Sequence, residues 1–308
     1  MNSRWGPLRT VLAGIAVCGC GNYSNDDLDF QLALPEQSDM EAKMQLSIMR
    51  TDSAEYYQAT RYAVTTFNNM VGELAGLIDV VRGNVPTSRN GDERTWGPWS
   101  LEDQPGWQIR VVMRRSTVSE TLLRMDYWVE VSPLGADESS WVPFLTGMYV
   151  SSGSARTGFG EIHLLVSDVR NAGYPVDRDP GLADLVRIDV VYSNADYPIS
   201  VSLYMEKLAA ASTRSGQLDY VQNQDGSGRL TFDWEGQSDT GAAITARMTS
   251  QWIGSGAGRA DLSADLTPNR EGIITTLGID CWGVDSVATY SYRIGDNPLA
   301  GDPSSCLF

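Results

Sequence analysis

The feature that most constrains the fold of this chain is an alternation of apolar and polar residues that begins at Trp107 and continues to Ile294. In the first segment, Ile109, Val111 and Met113 lie on one side of the pattern. A period of two places such residues on one face of a β-strand, and a single buried face is typical of antiparallel sheets. The same rhythm occurs in the segments 107–114, 123–131, 162–166, 186–192, 199–205, 230–234, 244–248 and 290–294.

The residues between and before these segments complete the fold-class prediction. Turn residues such as Asp225-Gly226 connect the strands, and the pattern contains no helical crossover. Upstream, apolar residues recur at helical spacing, which predicts one helix over 38–49 and a longer one over 53–83. We therefore predict an α+β, mainly β fold, in which this N-terminal helical pair packs against a large curled antiparallel sheet or partial barrel.

The N-terminus has the pattern of a secretory signal. Arg4 and Arg9 provide positive charge, and the apolar run Val11–Val17 is too short to span a bilayer core of about 30 Å. The run ends in Val17-Cys18-Gly19-Cys20, which resembles the lipobox of bacterial lipoproteins. That resemblance implies that Cys20 receives diacylglycerol, since Gly19 supplies the small residue before it. Cys18 fits the pattern less well, and an ordinary cleaved signal with an incidental cysteine is the alternative.

The lipobox resemblance also divides the chain. It implies a signal peptide over 1–19, and the polar residues that follow predict a flexible tether over 20–37. The 17 residues 21–37 would reach at most about 55–60 Å when extended. Residues 38–308 are then one β-rich domain with N-terminal helices. Gly21 follows the cysteine, and under the sorting rule of such lipoproteins this favours the outer membrane over the inner one.

The remaining cysteines agree with export. Cys281 and Cys306 are the only two cysteines after Cys20, and an even number in an oxidising compartment predicts a disulfide. Two free buried thiols are the alternative. His163 is the single histidine, so we expect no metal site and no cofactor.

The net charge and the sequence motifs exclude some classes of function. The formal net charge is −16, and such an acidic chain is repelled by phosphate backbones, so we expect no nucleic-acid partner. No Gly-x-Ser-x-Gly motif is present to provide a nucleophile for His163, which lies on a strand with Glu161 and Leu165 on its face. We therefore assign no catalytic residue and expect that the protein is not an enzyme.

Three loops have only part of a binding motif. The run Gly254–Arg259 is glycine-rich, but strand-like residues follow it where a phosphate loop requires a helix. Asn223–Gly228 has the first donors of a calcium loop but Trp234 at the twelfth position, and Asp177–Gly181 fits less well. We interpret all three as turns. Trp128 lies on the polar face of its strand, either as an exposed platform for a sugar or an apolar ligand or covered by the helices.

A weak resemblance covers most of the chain. Trp96–Trp99, Gly256–Asp261, Asp280–Trp282 and Gly301–Cys306 resemble uncharacterised myxobacterial-type outer-membrane lipoproteins. The resemblance implies a bridge between the last two cysteines and carries no activity.

These observations predict a lipid-anchored cell-envelope protein that is a non-enzymatic binding or structural module. Its one assigned partner is the membrane, through the lipid on Cys20; no ligand or protein partner is identified. One alternative is a carrier of an apolar ligand, which requires a cavity of at least ~300 Å³ between helix and sheet. A second is a polysaccharide or peptidoglycan hydrolase, which requires two carboxyl groups about 5–10 Å apart, one with a raised pKa.

Overall fold

The computed structural model describes residues 24–44, 53–119, 122–154, 156–209, 212–237, 243–265, 274–295, 300–306 and 308. The helices are α1 (Asn25–Leu32), α2 (Gln37–Met40), α3 (Glu55–Ile78) and α4 (Val166–Asn171). The first strands are β1 (Ser88–Asn90), β2 (Glu93–Ser100), β3 (Trp107–Ser119), β4 (Leu122–Pro133), β5 (Val142–Ser154), β6 (Thr157–Leu164), β7 (Leu185–Ser193) and β8 (Ile199–Ala209). They are followed by β9 (Ser212–Gln222), β10 (Gly228–Gln237), β11 (Ala243–Trp252), β12 (Gly258–Asp265), β13 (Ile274–Trp282), β14 (Ala288–Arg293) and β15 (Ala300–Gly301).

Strands β1 to β7 each pair with the next strand along the chain, and so do strands β9 to β15. Neighbouring strands pair antiparallel; for example, Ile109 on β3 faces Val131 on β4. Inward positions of the alternating segments are buried in β7, where Ile188, Val190 and Tyr192 are at most 4% exposed. The prediction of a mainly antiparallel fold with N-terminal helices is confirmed.

The contacts divide the chain into two compact units, although residues 38–308 are predicted as one domain. The first unit consists of Met1–Met40, Met70–Ala195 and Met205–Thr213, and it contains α1, α2, α4 and strands β1–β7. The second unit consists of Glu41–Asn69, Asp196–Tyr204 and Arg214–Phe308. It contains the N-terminal part of α3 and strands β10–β15.

The tether predicted over 20–37 is wrong for the residues that form α1. Ser24 begins this helix with a capping box: its hydroxyl accepts the Asp27 N–H, and its own N–H donates to the Asp27 carboxylate. Phe30 is completely buried in the first unit. The polar composition suggested a flexible segment, but these residues are folded because their partners lie more than 60 positions later in the chain.

The first predicted helix, over 38–49, is also wrong in extent. Helix α2 ends at Met40, and residues 41–44 have no helical structure; residues 45–49 lie outside the described residues. Ala42 instead exchanges two hydrogen bonds with the Asn68 side chain, of 2.8 and 3.0 Å. Lys43 pairs its backbone with the Tyr220 hydroxyl in the same way. These side chains replace the hydrogen bonds that a longer helix would have made.

The second predicted helix is confirmed as α3, which continues as a short 3-10 turn over Asp79–Val81. Its N-terminus is held by a carboxylate on β13 of the second unit. Asp280, which is completely buried, accepts the Tyr56 N–H at 2.8 Å and the Ser291 hydroxyl at 2.8 Å. Arg293 donates to both of the Asp280 oxygens, at 2.9 and 3.1 Å.

In the part of the chain that the structure describes, no helix is both long and apolar enough to cross a membrane.

Cys281 and Cys306 form a disulfide, as predicted, with their Cα atoms 5.4 Å apart. The bridge links β13 to the segment after β15, across 25 positions of sequence. We expect the double variant Cys281→Ser with Cys306→Ser to lose about 3 kcal/mol of unfolding free energy, because the open loop gains conformational entropy in the unfolded chain. Urea unfolding measures the loss. A reductant should destabilise the natural chain and leave the variant unchanged, and a loss below about 1 kcal/mol would contradict the expectation.

Candidate functional site

Helix α1 is fixed to strands β1 and β2 by charged side chains. Asp27 of α1 is completely buried and accepts hydrogen bonds from Arg89 on β1, at 2.9 to 3.2 Å. Arg94 on β2 donates to the same carboxylate at 2.8 Å. Burial alone would raise the pKa of Asp27, but the hydrogen bonds from Arg89, Ser24 and Arg94 outweigh it and hold that pKa well below its usual range.

A second layer of charge surrounds this carboxylate. Arg115 on β3 contacts Asp26 of α1 and also Asp92. The distance from Arg115 Nη2 to Asp92 Oδ1 is 2.9 Å. Asp26 contacts Arg94 as well. The guanidinium groups of Arg94 and Arg115 lie 4.9 and 5.4 Å from the centre of the Phe30 ring. Helix α1 is therefore held by an apolar ring and by charged groups on three strands, an arrangement that fixes the position of a chain segment.

The single histidine lies in a separate charged cluster on the first unit. His163 Nδ1 is 2.8 Å from Asp189 Oδ1, and Nε2 is 3.3 Å from Glu161 Oε2. Arg187 continues the row, 3.6 Å from Asp189 and 3.1 Å from Glu206. The His163 side chain is one-third exposed. The alternation correctly places Glu161 beside His163, whereas Asp189 was missed because the sequence pattern does not give the register between β6 and β7.

This cluster has two parts of a catalytic triad, an imidazole and the carboxylate that orients it. Thr146 on β5 is the register partner of His163 and carries a hydroxyl group. The Nε2 atom that a triad would direct at a nucleophile is instead 3.3 Å from the Glu161 carboxylate. The geometry is that of a histidine hydrogen-bonded to two carboxylates on a partly exposed face of the sheet.

The three loops with partial binding motifs are turns in the structure. Asn223–Ser227 connects β9 to β10, and Asp225 accepts both the N–H and the hydroxyl of Ser227, which lowers the pKa of its carboxyl group. The glycine-rich run connects β11 to β12 as a hairpin loop, with Gly256 at φ 93°. Asp179 accepts the Gly181 N–H in the third loop. Among the described residues, no three His, Cys, Asp or Glu side chains form a group suited to a metal ion.

The aromatic residues are mainly part of the interior. Trp96, Trp252 and Trp282 are at most 2% exposed, and Trp128 is partly exposed with the Arg114 guanidinium 5.9 Å from its ring. Several rings lie directly over a glycine of the next strand, where a Cβ atom would collide with them. These pairs are Tyr127 with Gly147, Tyr192 with Gly160, Trp252 with Gly228 and Trp282 with Gly258.

Cys20 lies outside the described residues, so the structure brings together only one of the predicted site groups, the Cys281–Cys306 bridge. The fixed helix α1 was missed, and its one local signal was Ser24 followed three residues later by Asp27. Comparison with protein-family models found no match, and neither did comparisons with curated proteins and with solved structures.

Proposed function

We propose that this protein is exported and anchored by a lipid on Cys20 in the cell envelope, at the outer membrane, where its sheet is a non-enzymatic binding or structural module. The observation that carries the proposal is the distribution of the four cysteines. Cys281 and Cys306 form a disulfide, which is typical of oxidising compartments. The other two, Cys18 and Cys20, end an apolar signal-like run. Two or more acyl chains at Cys20 would provide stable attachment.

The hydrolase alternative can be compared with the carboxyl groups that the structure describes. A glycosidase acid needs a raised pKa. Every described Asp or Glu whose pKa is shifted has it lowered: Asp27, Glu36, Asp137, Glu138, Asp225 and Asp302. The hydrolase alternative therefore has no supporting observation.

The packing of the first unit also weighs against the carrier alternative. A carrier needs space over the inner face of its sheet. At Gly147 and Gly160, where missing side chains would leave that space, the rings of Tyr127 and Tyr192 occupy it. Both tyrosines are at most 1% exposed. The inner face there resembles a packed core rather than a ligand cavity.

The test of the anchor is cell fractionation of the natural chain and the variant Cys20→Ala. We expect the natural chain in the membrane pellet and the variant among the soluble proteins, because the variant lacks the thiol that carries the lipid. Cys18→Ala is the matched control and should remain in the pellet. A Cys20→Ala chain that stays with the membrane after a carbonate wash would contradict the proposal.

A further inference from the structure

We propose that the outward side of α1, with Leu28 and Leu32 at its centre, lies against the bilayer that holds the lipid on Cys20. We call this side the α1 surface. The inference rests on the proposed function, and it identifies which part of the protein the anchor brings to the membrane.

The chain between the lipid and the folded unit is short. Only residues 21–23 separate Cys20 from Ser24, the N-cap of α1. The four peptide links from Cys20 to Ser24 span at most about 14 Å when fully extended, whereas the predicted tether would span about 55–60 Å. Asp27 then fixes α1 to Arg89 and Arg94, so the chain cannot lengthen this link without breaking buried ion pairs. The anchor must hold the start of α1 close to the headgroups.

Helix α1 has one buried side and one side with exposed apolar residues. Asp27 and Phe30 face inward and are completely buried. Leu28 and Leu32 are 44% and 43% exposed, and their spacing of four residues places them on one face of the helix. Two large apolar side chains are thus exposed on the described element nearest the anchor in sequence, where a lipid surface would remove them from water.

The net charge around α1 is much smaller than that of the whole chain. The chain is strongly acidic, with a formal net charge of −16, which opposes contact with anionic headgroups. Around α1 the charges are nearly balanced. Four aspartates and three arginines leave a single net negative charge in this cluster: Asp26, Asp27, Asp29, Asp92, Arg89, Arg94 and Arg115.

The test places a fluorophore on the full lipidated chain in vesicles of phosphatidylethanolamine and phosphatidylglycerol that contain a nitroxide-headgroup lipid. Leu28→Cys and Leu32→Cys are labelled separately, and both positions are exposed, so either variant serves if the other folds poorly. Leu134→Cys is the matched control, being 57% exposed in the same unit. Leu134 follows Pro133, the last residue of β4, which pairs with Trp107 on β3. Trp107 is eight residues, or about 27 Å of strand, from Arg115, the β3 residue that contacts α1.

We expect nitroxide lipid to quench the labels at positions 28 and 32 at least threefold more than the label at 134. Equal quenching at all three positions, in chains that float with the vesicles, would overturn this inference and leave the anchor intact. A natural chain that does not float with vesicles would overturn the proposed function, and this inference with it.

Discussion

Replacing Asp280 with Asn is expected to lower the free energy of unfolding by about 3 kcal/mol. Its carboxylate accepts four hydrogen bonds from three residues, including the backbone of Tyr56 in the first turn of α3. The neutral amide loses the charge that pairs with Arg293. Losing one partner of a buried ion pair costs about 3–5 kcal/mol, and the lower value applies because Arg293 retains Glu55 and is 23% exposed.

Chemical denaturation measures this loss, and Asp233→Asn is the matched control. Asp233 also receives two hydrogen bonds from an arginine, Arg247, at 2.6 and 2.8 Å. That pair is on the surface, with side chains 57% and 26% exposed, so the control should lose at most about 1 kcal/mol. If both variants lost the same amount, Asp280 would not be the residue that holds α3.

Replacing Asp27 with Asn is expected to release α1 from the first unit. The neutral amide leaves Arg94, whose side chain is only 6% exposed, with the partly exposed Asp26 as its remaining counter-charge, at a cost of about 3 kcal/mol. Because α1 is a short element near the start of the described chain, the cost should appear as local unfolding. Hydrogen exchange of the α1 amides, at least tenfold faster than in the natural chain, is the expected result.

The same contact predicts a dependence on pH. The pKa of Asp27 is lower in the folded protein than the value near 3.9 of an unfolded chain. Its contribution is therefore complete above about pH 4 and is lost as the pH falls through the lowered folded value. Protection of α1 should decline below about pH 4 in the natural chain and be already low at neutral pH in Asp27→Asn.

Asp29→Asn is the control on the same helix. Its carboxylate is 57% exposed and 3.9 Å from Arg115, so its removal should leave α1 protected. Similar exchange in the two variants, or α1 protection in Asp27→Asn equal to that of the natural chain, would show that the buried carboxylate does not hold the helix.

The sheet was predictable because its physical cause is local. A strand with one buried face shows that face in its own sequence, and β3, β4, β7 and β10 all coincide with alternating segments. Helix α3 was predictable for the same reason. The helix α4 was missed because its six residues are shorter than the window in which a helical period can be recognised.

Helix α1 could not be predicted from its own sequence, because the residues that hold it are distant in the chain. The acidic residues of α1 would indicate a solvated tether if they had no partners. Their partners Arg89 and Arg94 are more than 60 residues away in the sequence, so the local pattern does not reveal them. Ala42 and Lys43, where the predicted helix would have continued, likewise pair with Asn68 and Tyr220, from distant parts of the second unit. Among the site residues, the disulfide followed from a count of cysteines, whereas the Asp189 partner of His163 required the strand register.

The most direct test of the central claim is the intact mass of the protein purified from the membrane fraction. We expect a chain that begins at Cys20 and carries the added mass of diacylglycerol and an N-terminal acyl group. In Cys20→Ala that added mass should be absent. A natural chain that starts after residue 19 with an unmodified cysteine would contradict the lipid anchor and remove the membrane from the account.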